Sequence, residues 1–64
     1  MKMQNITAKE LSAIEDQLSY EQLLIKKYKY YASICQDAQI KTICEQTATQ
    51  HKAHYDAIMK YLEG

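Results

Sequence analysis

From Leu11 to Cys35 the chain repeats apolar or small residues at alternating steps of three and four: Leu11, Ile14, Leu18, Glu21, Ile25, Tyr28, Ala32 and Cys35. Such steps place all eight on one side of an α-helix, and Glu21 is the only charged member. Leu24 and Tyr31 widen the stripe on one flank, which suits a globular bundle better than a narrow two-stranded coil. Carried on in the same phase, the stripe runs through Gln39, Thr42, Gln46, Thr49, Ala53, Asp56 and Lys60, which is nearly all polar. A second stripe one residue later reads Ile40, Cys44, Thr47, His51, His54, Ile58 and Tyr61, flanked by Ile43, Tyr55, Ala57 and Leu62. The break in phase at Gln36-Asp37 therefore divides the chain into two helices that fold back on each other. One continuous helix with a skipped residue is the rival, and it leaves the second half without an apolar seam.

Composition agrees with an all-α fold. There is no Pro, and the single Gly is residue 64, so the usual punctuation of sheets and tight hairpins is missing. All-β and βαβ architectures are excluded. Thr7-Ala8-Lys9-Glu10 has capping-box spacing, which starts the first helix, and Asp37 is placed to cap the second. The predicted organisation is one domain, 1–64, with a helix over 8–35, a turn at 36–37 and a helix over 38–62. A chain of 64 residues buries only about 60% of its unfolded surface, and a lone two-helix hairpin leaves half of its apolar stripe uncovered. A homodimer, two hairpins forming a four-helix bundle, is the expected unit.

Charge and motifs exclude several functions. Eight Lys balance eight acidic residues and Arg is absent, so nucleic acid is not an expected partner. Lys26, Lys27 and Lys29 interleave with Tyr28, Tyr30 and Tyr31, but register turns Tyr28 and Tyr31 to the core and leaves the lysines as a solvated face, with Tyr20 and Tyr30 more exposed. The longest aliphatic run is Leu23-Leu24-Ile25, and Met1–Asn5 contains no apolar signal-like stretch, so neither a membrane partner nor export is expected and synthesis is in the cytoplasm. Cys35 and Cys44 are too few for a disulfide scaffold and do not form a CxxC pair; they read as reduced core residues, with an intermolecular bridge the other use. No Ser-His-Asp order, Gly-rich phosphate loop or Cys-His nucleophile is present, and no catalytic residues are assigned.

What interrupts the two stripes is more informative. Glu21 lies about 15 residues before the break, and His51 and His54 about 14 and 17 after it, at heights of roughly 23, 22 and 26 Å for a rise of 1.5 Å per residue. The three meet in one layer near mid-helix, where a two-fold axis crossing the bundle brings in a second set. Two His and one carboxylate per chain form a ligand set for iron or zinc: Glu21 supplies oxygen, His51 and His54 supply nitrogen, and Tyr28 stands beside them as a supporting partner. The other reading is metal-free, with Glu21 paired to a protonated histidine in a buried cluster that sets bundle register.

The segment Tyr20-Glu21-Gln22-Leu23-Leu24-Ile25-Lys26-Lys27-Tyr28, with Cys35-Gln36-Asp37, Cys44-Glu45-Gln46 and His51-Lys52-Ala53-His54-Tyr55, resembles the small spore coat proteins of the coat F family. The resemblance extends from about Leu11 to Leu62. It implies half of a ferritin-like or rubrerythrin-like bundle, made in the mother cell of a sporulating bacterium and deposited in the spore coat beside other coat proteins, with a structural role. Ferritin-like di-iron proteins carry a Glu on the first helix of each pair and Glu-x-x-His on the second. Glu21 and His54 match that pattern, whereas His51 stands where the second Glu belongs, and Glu45, one position off the seam, does not replace it. The departure removes a bridging carboxylate and argues against oxygen-activating di-iron chemistry. Two rival functions remain: a metal-binding redox protein using Glu21, His51 and His54, and a helical adaptor whose bundle face recruits another protein.

Overall fold

A computed structural model describes residues 6–63, which form two helices, α1 (Ala8–Ile34) and α2 (Ala38–Glu63), packed against each other. There is no strand among the described residues. The Cα envelope is 47 Å long and 11 Å thick, the outline of one layer of two helices side by side. Met1–Asn5, read above as free of a signal-like run, and Gly64 lie outside the described residues.

The capping box at the start of α1 is complete. Glu10 N donates to Thr7 Oγ1 and Thr7 N donates to Glu10 Oε1, both at 3.1 Å. These bonds hold the Glu10 carboxyl below the usual carboxylate range, chiefly through the backbone amide of Thr7. α1 ends at Ile34, one residue before the predicted end, because Cys35 turns to an extended conformation (ψ 132°) while its N–H still donates to Tyr31 O. Asp37 caps α2: its Oδ1 accepts from Gln39 N at 2.9 Å and Ile40 N at 3.0 Å. Asp37→Ala is expected to cost about 1 kcal/mol, within the usual 0.5–2 for a lost cap. Urea unfolding measures it, and an unchanged midpoint counts against the cap.

The inward face of α1 follows its stripe. Glu21 and Ala32 are buried, and Leu11, Ile14, Leu18, Leu24, Ile25, Tyr28 and Cys35 are half-buried. On α2 the inward face is rotated from the predicted one. Cys44 and Ala48 are buried, and Thr47, His51, Tyr55, Ile58, Met59 and Leu62 are half-buried, whereas Ile40, His54 and Tyr61, placed on the seam, are exposed. Tyr31, read as turned to the core, is also exposed. One partner helix covers only a narrow stripe, so an apolar arc wide enough for two partners is covered along one edge and left open along the other.

That open edge makes the two broad sides of the hairpin unlike. One carries Ala13, Ile14, Gln17, Tyr31, Ile34, Ile40, Ala57, Ile58 and Tyr61 around two shallow apolar hollows. The other carries Lys29, Ser33, Lys41, Glu45, Thr49 and Lys52. Glu45 is exposed on this polar side. Lys26, Lys27 and Lys29 are exposed as well, and Lys27 Nζ sits 5.9 Å above the Tyr31 ring. Cys35 and Cys44 are free thiols.

Candidate functional site

α1 contributes Glu21 from its exact middle, with 13 residues before it (8–20) and 13 after it (22–34). α2 contributes His51, with 13 residues before it (38–50) and 12 after it (52–63), and His54 one turn further on. Each side chain sits on an uninterrupted helix, which fixes its height. The structure brings all three together: one ligand atom from each lies within 4.8 Å of the others.

Glu21 is the hub and is only 5% exposed. Its Oε1 lies 2.6 Å from His51 Nδ1, and its Oε2 accepts from Gln17 Nε2 at 3.0 Å and lies 3.6 Å from His54 Nδ1. No buried side-chain polar atom among the described residues lacks a partner. The His51 hydrogen bond holds the Glu21 carboxyl below the usual carboxylate range; burial opposes it, and Gln17 and the two imidazoles add to the lowering. A carboxyl lowered in the folded state contributes stability above its unfolded pKa and loses it as pH falls through the folded value. Acidification below about pH 4, the ordinary range of a free Glu, is therefore expected to weaken the hairpin progressively. Thermal melts across that range check it: Glu21→Gln is expected to flatten the acid limb, and parallel acid limbs in the two proteins count against the assignment.

Around the hub, His51 lies nearly parallel to Tyr28, with ring centroids 6.1 Å apart and 9° between planes, and edge-on to His54 at 5.7 Å. Tyr28, placed by the sequence beside the three residues, is stacked on His51. Gln17 was not anticipated from the sequence. Its signal was present, since it precedes Glu21 by four residues and so shares its helix face.

One carboxylate oxygen and two imidazole nitrogens fit a borderline cation such as iron(II) or zinc. An ion with bonds of about 2.1 Å in tetrahedral geometry sets its donors roughly 3.4 Å apart, so Glu21 and His51, 2.6 Å apart in their hydrogen bond, would open slightly and His54 would draw in, each by a small rotation. His54, with 62% of its side chain exposed, precedes Ile58 and Tyr61 of the apolar side by one and two turns of α2 and so shares their side, onto which the centre opens at mid-length.

No family model matches the chain, and no solved structure matches it. It is similar to the uncharacterized protein YuzM of Bacillus subtilis, 31% identical over 58 residues that make up 91% of this chain and 72% of that protein's length. At that identity and coverage, the chain belongs to the same family as YuzM.

Proposed function

We propose that this protein is a structural component of the bacterial endospore coat, assembled as a homodimer in which two hairpins form a ferritin-like four-helix bundle. The observation that carries the dimer is the apolar side, with Ile34, Ile40 and Ile43 each more than half exposed. A contiguous face of this kind on a 47 Å hairpin marks an interaction surface. Glu21 and His51 sit at the midpoints of their helices, so a two-fold axis through the centre of that face superposes the polar layers and pairs apolar residues with apolar residues. The coat assignment rests on the resemblance to the coat F family. A fluorescent fusion followed through sporulation, with immunoblots of extracted coats, tests it. Signal confined to the developing spore and its coat fraction supports the reading, and signal spread through the mother cell overturns it.

The convergence of Glu21, His51 and His54 within 4.8 Å favours a second reading, in which the dimer holds iron or zinc at its centre. Bound there, either ion would tie α1 to α2, and iron would add one-electron redox chemistry. Within the chain, Gln17 and Tyr28 would orient Glu21 and His51, and pairing of the apolar sides would keep water from the layer. Elemental analysis of tag-free protein beside a Glu21→Ala/His54→Ala control tests this. Stoichiometric metal lost in the control supports it. Protein that neither carries nor takes up metal leaves a structural polar layer.

A further inference from the structure

Four aromatic side chains run without a gap from the centre to solvent. His51, hydrogen-bonded to Glu21, lies parallel to Tyr28 at 6.1 Å; Tyr28 meets Tyr31 edge-on at 6.2 Å; Tyr31 meets Tyr30 at 6.1 Å. Every step is within aromatic contact range. Exposure rises along the series, from half-buried Tyr28 through Tyr31 at 40% to Tyr30 at 61%. Tyr30 follows Glu21 by nine residues, so at about 100° per residue it lies half a turn round α1 from the centre, on the outside of the hairpin. The chain also has six Tyr with neither Trp nor Phe, so every benzenoid ring in it carries an oxidisable phenol.

We propose that Tyr28, Tyr31 and Tyr30 form a one-electron relay that carries an oxidising equivalent from the Glu21–His51–His54 centre to the surface, where Tyr30 couples covalently to a tyrosine of another molecule. The inference rests on the metal reading above, with iron as the ion and hydrogen peroxide as the oxidant. In each hop a tyrosine gives up one electron and its phenolic proton and becomes a neutral radical, and the preceding radical takes up both and returns to phenol. Each peroxide accepts two electrons and two protons, drawn from two relays, and leaves as two waters. The two Tyr30 radicals join by one carbon–carbon bond between ring positions ortho to oxygen, and the displaced ring hydrogens return to the phenol oxygens. Lys27 keeps the radical from resting on Tyr31, since its ammonium, 5.9 Å above that ring, makes an electron-deficient ring costly there, and irreversible coupling at exposed Tyr30 gives the relay its direction. Because Tyr30 lies exposed on the outside of the hairpin, opposite the seam between α1 and α2, the new bond links one dimer to the next.

The test injects the oxidising equivalent beside the centre, at a histidine introduced by Lys52→His, a position next to His51 whose side chain is 58% exposed on the polar side that the proposed dimer leaves open. A ruthenium polypyridyl photo-oxidant is coordinated to that imidazole and flashed with an electron-accepting quencher. Hole injection there does not need the protein to bind iron, so failure of the relay and failure of the metal reading are separate results. The expected outcome is a tyrosyl radical on Tyr30 by electron paramagnetic resonance and dityrosine-linked pairs whose peptide map places the bond at Tyr30. Tyr31→Phe keeps the ring and removes the phenol, and it is expected to lose the Tyr30 coupling and hold the radical on Tyr28, with helix content by circular dichroism unchanged. If Tyr31 is instead a packing residue only, Tyr30 coupling survives the substitution, and the proposal is overturned. A radical confined to Tyr20 or Tyr61 in the unaltered protein overturns it equally.

Discussion

A hairpin carrying Ile40→Lys and Ile43→Lys is expected to run in solution as a 7.5 kDa monomer, and the unaltered protein as a dimer of twice that mass. Ile40 is 53% and Ile43 59% exposed in the lone hairpin, so neither is needed to hold α1 against α2. Each would be covered in the proposed dimer, and full burial of an Ile is worth about 1.5–3 kcal/mol. Because each is already nearly half covered within its own hairpin, four per dimer remove about 3–7 kcal/mol, a large part of the stability of a typical small domain. The freed monomer is expected to lose much of its helix at micromolar concentration, since two helices alone bury little. Thr49→Lys is the control, since Thr49 is exposed on the polar side of the hairpin. Light scattering after size exclusion reads both variants. A dimer that survives the double substitution, or one that the control breaks, removes the apolar side as the interface.

Glu21→Leu is expected to abolish iron and zinc uptake and yet leave the hairpin as stable as before, or more stable, at a pH high enough to neutralise imidazole. Removing a directly ligating oxygen costs more than the roughly 10–100-fold typical of outer partners. The stability half follows from who is left behind. Gln17 and His54 are exposed and His51 is half-buried, so all three regain water when their shared acceptor goes, and Leu fills the space at apolar cost only. His51→Glu tests the same geometry in the opposite sense: it restores the Glu-x-x-His pattern on α2 and is expected to raise iron affinity. Isothermal titration with iron(II) under anaerobic conditions measures both, and denaturant midpoints supply the stability comparison. A strongly destabilised Glu21→Leu shows that the layer holds the fold. Iron affinity unchanged in His51→Glu shows that residue 51 does not face the ion.

The centre on which the second prediction turns is legible in the sequence alone. Steps of three and four, counted from Leu11 and again from Ile40, put Glu21 and the two histidines on facing sides, and the position of the phase break put them at one height. The capping residues Thr7, Glu10 and Asp37 were equally readable, because a cap is a contact between residues two or three apart. Gln17 was missed for a different reason: an exposed glutamine on a helix carries no mark until the acceptor beside it is known to be buried.

Local periodicity, then, determined by itself that this chain is two helices, where they end to within a residue, and which three side chains share a level. Each of those properties depends on backbone geometry that repeats every 3.6 residues whatever lies outside the helix. Only the tertiary structure decided how far each helix is rolled about its own axis. That roll turned Ala48, Tyr55 and Leu62 towards α1 and left His54, Tyr61, Ile40 and Tyr31 outside. An apolar arc in the sequence records how much surface needs cover without recording which edge is covered first. Contact with α1 makes that choice: small Ala32 and Ala48, both buried, sit where the helices pack, and the wider side chains move to the open side.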